Sequence, residues 1–127
     1  MEELKIPSTN STPEIILNPK GFIKIVGRSI HENISHHFRQ AEAWITNYVR
    51  SPAEVTCVDI DLEYCNSASS KLLIHLLQKI SRIQQERKKL IVNWYYEDGD
   101  EDIHEVGEFI SSILNVPFSF IKTSSSR

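Results

Sequence analysis

The residues best suited to chemistry in this chain fall in one short run, Leu62-Glu63-Tyr64-Cys65-Asn66-Ser67-Ala68-Ser69-Ser70-Lys71. Three serines stand where a strand pattern gives way to a helix pattern. The first turn of a helix offers backbone N–H groups without intrahelical acceptors and a partial positive charge. A phosphate group there finds donors already aimed at it. Phosphorylation of a serine adds about −1.5 to −2 charges at neutral pH, enough to change which surface docks beside it. The plain alternative is that Asn66 or Ser67 is simply a helix cap, a common use of both residue types.

Other polar groups carry weaker patterns. Asp59, Asp61 and Glu63 line one face of a strand, and paired carboxylates can do acid–base work. No glycine-rich phosphate loop and no nucleophile–histidine motif accompanies them, so solvent across an open sheet is their simpler neighbour. Glu97, Asp98, Asp100, Glu101, Asp102 and Glu105 cluster around Gly99. The spacing does not match a calcium loop, whereas acidic residues at a helix start are stabilising in their own right. His31, His36, His37, His75 and His104 form no metal-ligand spacing and read as surface or edge residues. Cys57 and Cys65 match neither a zinc nor a CxxC pattern. No metal and no cofactor is expected.

These groups need a frame to hold them. Leu4-Lys5-Ile6 and Glu14-Ile15-Ile16-Leu17 read as short extended segments around Pro7 and Pro13. Asn18-Pro19-Lys20-Gly21 is a turn, so 14–17 and 22–26 predict a hairpin, with Gly27 ending the second strand. Ile34, Phe38, Ala41, Ile45 and Tyr48 recur at helical steps over 33–50, with Asn33 as N-cap and Ser51-Pro52 as stop. From Val55 to Leu62 the pattern alternates, with Thr56, Val58, Ile60 and Leu62 on one face and Cys57, Asp59 and Asp61 on the other. Leu90 to Tyr95 repeats it. A second helix over 68–87 buries Leu72, Leu73, Leu76, Leu77, Ile80 and Ile83. A third over 101–114 buries Ile103, Val106, Ile110, Ile113 and Leu114. Pro117 to Ile121 is a last strand. Trp44 and Trp94 belong to the core or its edge.

The order β-β-α-β-α-β-α-β, with half-polar strands, predicts a single two-layer α/β (α+β) domain over 1–122. Its mixed sheet has about five strands, with three helices mainly on one face. Residues 123–127 form a polar, disordered tail. The chain has 127 residues, 40% of them hydrophobic, and a net charge of −3. No concentrated basic footprint for nucleic acid is present, and Arg87-Lys88-Lys89 suits a helix C-terminus. The acidic Met1-Glu2-Glu3-Leu4 is unlike a signal peptide, and no run reaches the ~20 apolar residues of a membrane span. With unpaired cysteines, these features point to a reducing cytoplasm.

Several short motifs occur together: Ile6-Pro7, Ser11-Thr12-Pro13-Glu14-Ile15, Gly27-Arg28-Ser29, Glu32-Asn33, Leu62-Glu63-Tyr64, Asn66-Ser67, Ser69-Ser70-Lys71, Asn93-Trp94-Tyr95-Tyr96-Glu97, Gly107-Glu108 and Pro117-Phe118. In this combination the chain resembles the SiaC family of bacterial regulatory phosphoproteins, from about Ile6 to Ile121. The resemblance implies a STAS-like fold and a signalling protein that is not an enzyme. It implies a Ser/Thr kinase that modifies a hydroxyl at the strand-to-helix turn and a PP2C-like phosphatase that removes the phosphate. It also implies a target bound by the unmodified form, a diguanylate cyclase in cyclic-di-GMP and biofilm control. The family turn commonly reads Asn-Thr-Ser-Ser-Ser-Lys. Here Ser67 stands at the threonine position and Ala68 at the next serine. The resemblance thus assigns phosphorylation to Ser67, with Ser69 as fallback, and partner contact to Tyr64, Asn66, Ser69, Ser70, Lys71, Glu32 and Asn33. Two alternatives differ in class: a small-molecule-binding or catalytic α/β domain using Asp59, Asp61 and Asn93, and an adaptor without regulation.

Overall fold

The computed structural model describes residues 1–30 and 34–124. The expected N-cap Asn33, together with His31, Glu32 and the end of the tail, lies outside the described residues. The elements run β1 (Leu4–Ile6), β2 (Glu14–Asn18), β3 (Phe22–Ser29), α1 (Ile34–Tyr48), β4 (Val55–Cys65), α2 (Ser67–Ser81), a 3-10 segment (Arg82–Glu86), β5 (Lys89–Glu97), α3 (Glu101–Leu114) and β6 (Ser119–Thr123).

All six strands join one sheet in sequence order, one strand more than expected because β1 pairs with β2 despite its three residues. The first two pairings are antiparallel and the last three parallel. Each parallel crossover adds its new strand on the same side of the last. Right-handed crossovers that advance in one direction place α1, α2 and α3 on one face of the sheet. The burial pattern agrees. Thr56, Val58, Ile60 and Leu62 are buried on β4, while Cys57, Asp59 and Asp61 between them are half-buried. The core lies between helices and sheet, around Phe38, Tyr48, Leu73, Leu77 and Trp94. The Tyr48 hydroxyl is satisfied there by Thr56 Oγ1 at 2.8 Å. Trp44 stacks on Tyr48 at the core's edge, with 5.0 Å between ring centroids. No described helix is long and apolar enough to cross a membrane.

Several boundaries differ from the sequence expectation for identifiable reasons. Gly27 does not end β3. Its φ of +128° accompanies a shift of register, from Gly27 opposite Leu62 to Arg28 opposite Tyr64, and pairing continues to Ser29. Glu63 is the extra residue on β4, so the two strands bulge and run on together. The second helix is α only to Ser81; beyond it the chain tightens into 3-10 geometry, which still buries Ile83, and exits at Arg87 in the left-handed conformation. The last strand extends to Thr123, whose carbonyl accepts the Asp98 N–H at 2.9 Å. Ile113, expected inward, is 51% exposed. The inward stripe of α3 is instead Ile103, Gly107 and Ile110, because Gly107 lets α3 sit directly on Trp94.

That contact sets a stability prediction. A Cβ added at Gly107 would lie 2.5 Å from Trp94 Nε1, an indole that is fully buried and donates to Ile103 O at 3.0 Å. The ring has no room to retreat. Gly107→Ala is therefore expected to cost about 1–3 kcal/mol through overpacking, read as a lowered urea midpoint with an unchanged slope.

Candidate functional site

The site is assembled at the C-terminal end of the parallel strands, where β4 hands over to α2. Asn66 is the N-cap: its backbone is extended, and its Oδ1 accepts the Ser69 N–H at 2.9 Å. Its own N–H donates to Ser29 O at 3.1 Å, and its carbonyl accepts from Ser70 N at 2.9 Å. Ser69 is 0% exposed. It donates through Oγ to Ser29 O at 2.8 Å and receives the Ser29 hydroxyl at 2.5 Å. Ser29 is itself fully buried. These bonds clasp the first turn of α2 to the end of β3. Ser29 faces inward in step with Ile23 and Ile25 on β3, and the register shift at Gly27 brings it opposite Cys65, at the end of β4 next to Asn66.

The clasp separates the serines by role. Ser67 occupies the first helical position and is exposed. Its N–H and that of Ala68 belong to the open first turn, which has no intrahelical acceptors. Ser69, the fallback site and an expected partner contact, is placed inside, with its hydroxyl enclosed and committed to Ser29. Ser70 is half-buried, with Cys65 Sγ 3.5 Å away, and Lys71 is exposed. Burial pushes the Cys65 thiol above its usual range.

Ser67, Ser70, Lys71 and Ile74 line one wall of a groove of about 490 Å³, and Asp102, Glu105, Val106 and Phe109 line the other. On each helix these residues follow the same steps of three, four and seven, so each set faces the groove over two turns. Phe109 is 58% exposed. Asp102 and Val106 also line a second cleft, with Ile30, Tyr64 and Asn66. Tyr64 is 54% exposed and carries the Arg28 guanidinium 4.9 Å above its ring. Of the expected contact residues, the fold therefore gathers Tyr64, Asn66, Ser70 and Lys71 around Ser67, while Glu32 and Asn33 lie outside the described residues.

Sequence reasoning missed Ile74 and Phe109 as groove-lining groups; Val106, expected inward, does pack against the core and also shows one side to the groove. Ile74 and Phe109 lie just beside the buried stripes of α2 and α3, and an apolar residue widening a stripe on one flank was the available signal. Within the acidic run, which was read as stabilising a helix start, Asp100 is the N-cap of α3: its Oδ1 accepts the Ile103 N–H at 3.1 Å. Asp102 and Glu105 leave that role for the groove.

The open sheet face holds the rival candidates. Asn93 donates to Asp59 Oδ1 at 2.8 Å and to Cys57 Sγ at 3.5 Å, so these groups spend polar capacity on one another. Burial, helped by the Asp59 charge, raises the Cys57 thiol above its usual range. Neither Asp59, Asp61 nor Asn93 lines the clefts described above. Among the described residues no three His, Cys, Asp or Glu side chains converge as a metal site. The histidines have other partners: His75 meets Glu42 at 3.1 Å, and His104 stacks on Tyr96 with 4.3 Å between centroids. His75 and Lys79 together hold the Glu42 carboxyl below its usual range.

Comparison with known proteins gives a consistent picture. A family model described as SiaC family regulatory phosphoprotein matches residues 6–123. An uncharacterized protein of Pseudomonas aeruginosa strain UCBPP-PA14 is 27% identical over 120 residues, covering 94% of this chain and 95% of that protein. The crystal structure of apo-SiaC from Pseudomonas aeruginosa is similar at a TM-score of 0.84 and 25% identity, over 95% of this chain and 99% of that one. The structure of the diguanylate cyclase SiaD in complex with its activator SiaC, from the same species, contains a chain similar at a TM-score of 0.85 and 26% identity, over 94% and 99%.

The clasp is testable by deletion of one hydroxyl. Ser69→Ala leaves the buried Ser29 hydroxyl without its acceptor, and a buried polar group left unpaired costs about 1–3 kcal/mol. Equilibrium denaturation should report that loss. Ser67→Ala, which removes only an exposed hydroxyl, should fall within about 0.5 kcal/mol of the parent.

Proposed function

This chain belongs to the SiaC family of regulatory phosphoproteins, and we propose that it is a phosphorylation-controlled docking protein with Ser67 as its switch and a diguanylate cyclase as its target. The unmodified form seats the partner in the groove between α2 and α3. A Ser/Thr kinase closes the seat by modifying Ser67, and a PP2C-like phosphatase reopens it. The chain carries out no catalysis of its own in this scheme, which operates in the bacterial cytoplasm.

The observation that supports it most strongly is the contrast at one turn: Ser67 stands exposed in a groove while Ser69, two residues on, is enclosed. A kinase must draw a hydroxyl into its own active site, and only an exposed one can follow. The groove's charge supports the direction of the switch. Its lining holds one cation, Lys71, against Asp102 and Glu105, a balance of −1. Phosphate on Ser67 brings this to roughly −2.5 to −3. A partner that covers the groove removes the water that screens those charges, and burying unmatched charge costs several kcal/mol. The class of target follows from the SiaC of Pseudomonas aeruginosa, an activator of the diguanylate cyclase SiaD whose structure this chain matches.

Phosphopeptide mapping after incubation with the cognate kinase is expected to find one phosphate, on Ser67. Phosphate found only elsewhere defeats the assignment. In binding assays with SiaD of Pseudomonas aeruginosa, Ser67→Ala should bind as the wild type does, and Ser67→Asp should bind about tenfold more weakly. Normal binding by a chain whose Ser67 the cognate kinase never modifies would instead identify an unregulated adaptor.

A further inference from the structure

We propose that the helix-free face of the sheet is an interface with a second copy of this chain. The two sheets stack face to face, with their strands antiparallel about a two-fold axis that runs across the strands.

The strands β3 to β6 pair in parallel, and parallel strands are found almost always with both faces covered. Here the three helices lie on one face and leave the other bare. That bare face is not polar throughout. Phe22 is 61% exposed and Val55 45%. Ile16, Val26, Ile91 and Tyr95, on the same face, are half-buried. Contiguous apolar surface of this kind marks a contact site. A patch as long as the nine residues of β5 and four or five strands wide measures about 30 by 20 Å. That is roughly 600 Å² per copy, near the ~800 Å² a side of a standard interface.

Charge selects the occupant. Strand register sets the face out in rows across the sheet. Toward the C-terminal ends of the parallel strands, Glu14, Asp61 and Glu97 bring three carboxylates. Toward the N-terminal ends the charged group is Lys89, opposite Val55. Lys24 and Asp59 are neighbours in the middle row. The face is thus acidic at one end and basic at the other, and its complement is the same face turned end for end.

A two-fold axis along the middle row makes that turn. It seats Phe22 on Val26, Ile91 on Tyr95 and Lys89 on Glu97 of the second copy, and symmetry repeats each pair. Ile16 meets Ile16 beside the axis. Lys24 reaches Asp59 of the second copy one strand spacing to the side, about 4.8 Å. Asn93 already donates to Asp59 at 2.8 Å, so the middle row enters the interface with polar capacity satisfied. Stacking with strands parallel sets the three carboxylates of each copy against those of the other, and like charges facing one another oppose it. The antiparallel pair leaves the helices outermost, so it does not depend on Ser67 being a switch.

Sedimentation equilibrium of the full chain, from micromolar to submillimolar, is expected to show monomer in balance with dimer. Phe22→Asp, at an exposed position, should weaken dimerisation at least about tenfold. Should that variant not fold, Val55→Asp on the same patch is read in its place. Lys89→Glu should also weaken dimerisation at least about tenfold, since the axis makes its repulsion from Glu97 occur twice. Adding Glu97→Lys to Lys89→Glu should return dimerisation to within about threefold of the wild type. A chain that stays monomeric across that range overturns the inference. So does a dimer that the patch variants leave intact, or one that Lys89→Glu weakens without rescue by the reversed pair.

Discussion

Two buried hydroxyls, Ser29 at the end of β3 and Ser69 in the first turn of α2, hold each other and the Ser29 carbonyl inside the protein. Polar groups in such a place stay only if every donor finds an acceptor, and here each does. The clasp fixes the rotation of α2 about its axis. With Ser69 facing in, helical geometry sends Ser67 out, since two residues turn the helix by roughly 200°. The exposure of Ser67 is thus a consequence of the burial of its neighbour.

Under the proposed switch, the same arrangement requires no large motion. The groove is preformed by two helices that pack side by side on one sheet, and its rim is already charged. A phosphate on Ser67, as proposed, would change the electrostatics of the groove without disturbing the core beneath it. The bulge at Gly27 contributes at a distance. By adding Glu63 to β4 it sets Ser29 opposite Cys65 and Arg28 opposite Tyr64, so one irregular step in strand pairing serves both the clasp and the surface beside it.

Much of this frame is readable in the residue pattern. Helix α3 was delimited to the residue, and the alternation in β4 and β5 assigned their inner faces correctly, because burial on one side of a strand imposes a period of two. The β2–β3 hairpin followed from its turn residues. The misses share a cause, which is that they depend on contacts distant in sequence. Gly27 looks like a stop until β4 is seen to carry an extra residue opposite it. Ile113 has the right spacing for the core, but the close seat of Gly107 on Trp94 rotates the buried stripe away from it. Ser69 looks as available as Ser67 until Ser29, forty residues earlier, closes over it.

What the amino-acid order determined alone is therefore local: the periodicities, the cap at Asn66, the acidic start of α3, the turn chemistry and the family motifs around Ser67. Each is a property of neighbouring residues, and neighbours in the chain are neighbours in space. Tertiary structure alone decided which serine faces solvent, and that Ile74 and Phe109, residues on separate helices, become two sides of one groove. It also set Asp102 and Glu105 across that groove from Lys71. Those outcomes depend on the rotation and spacing of packed elements, which only the assembled core imposes.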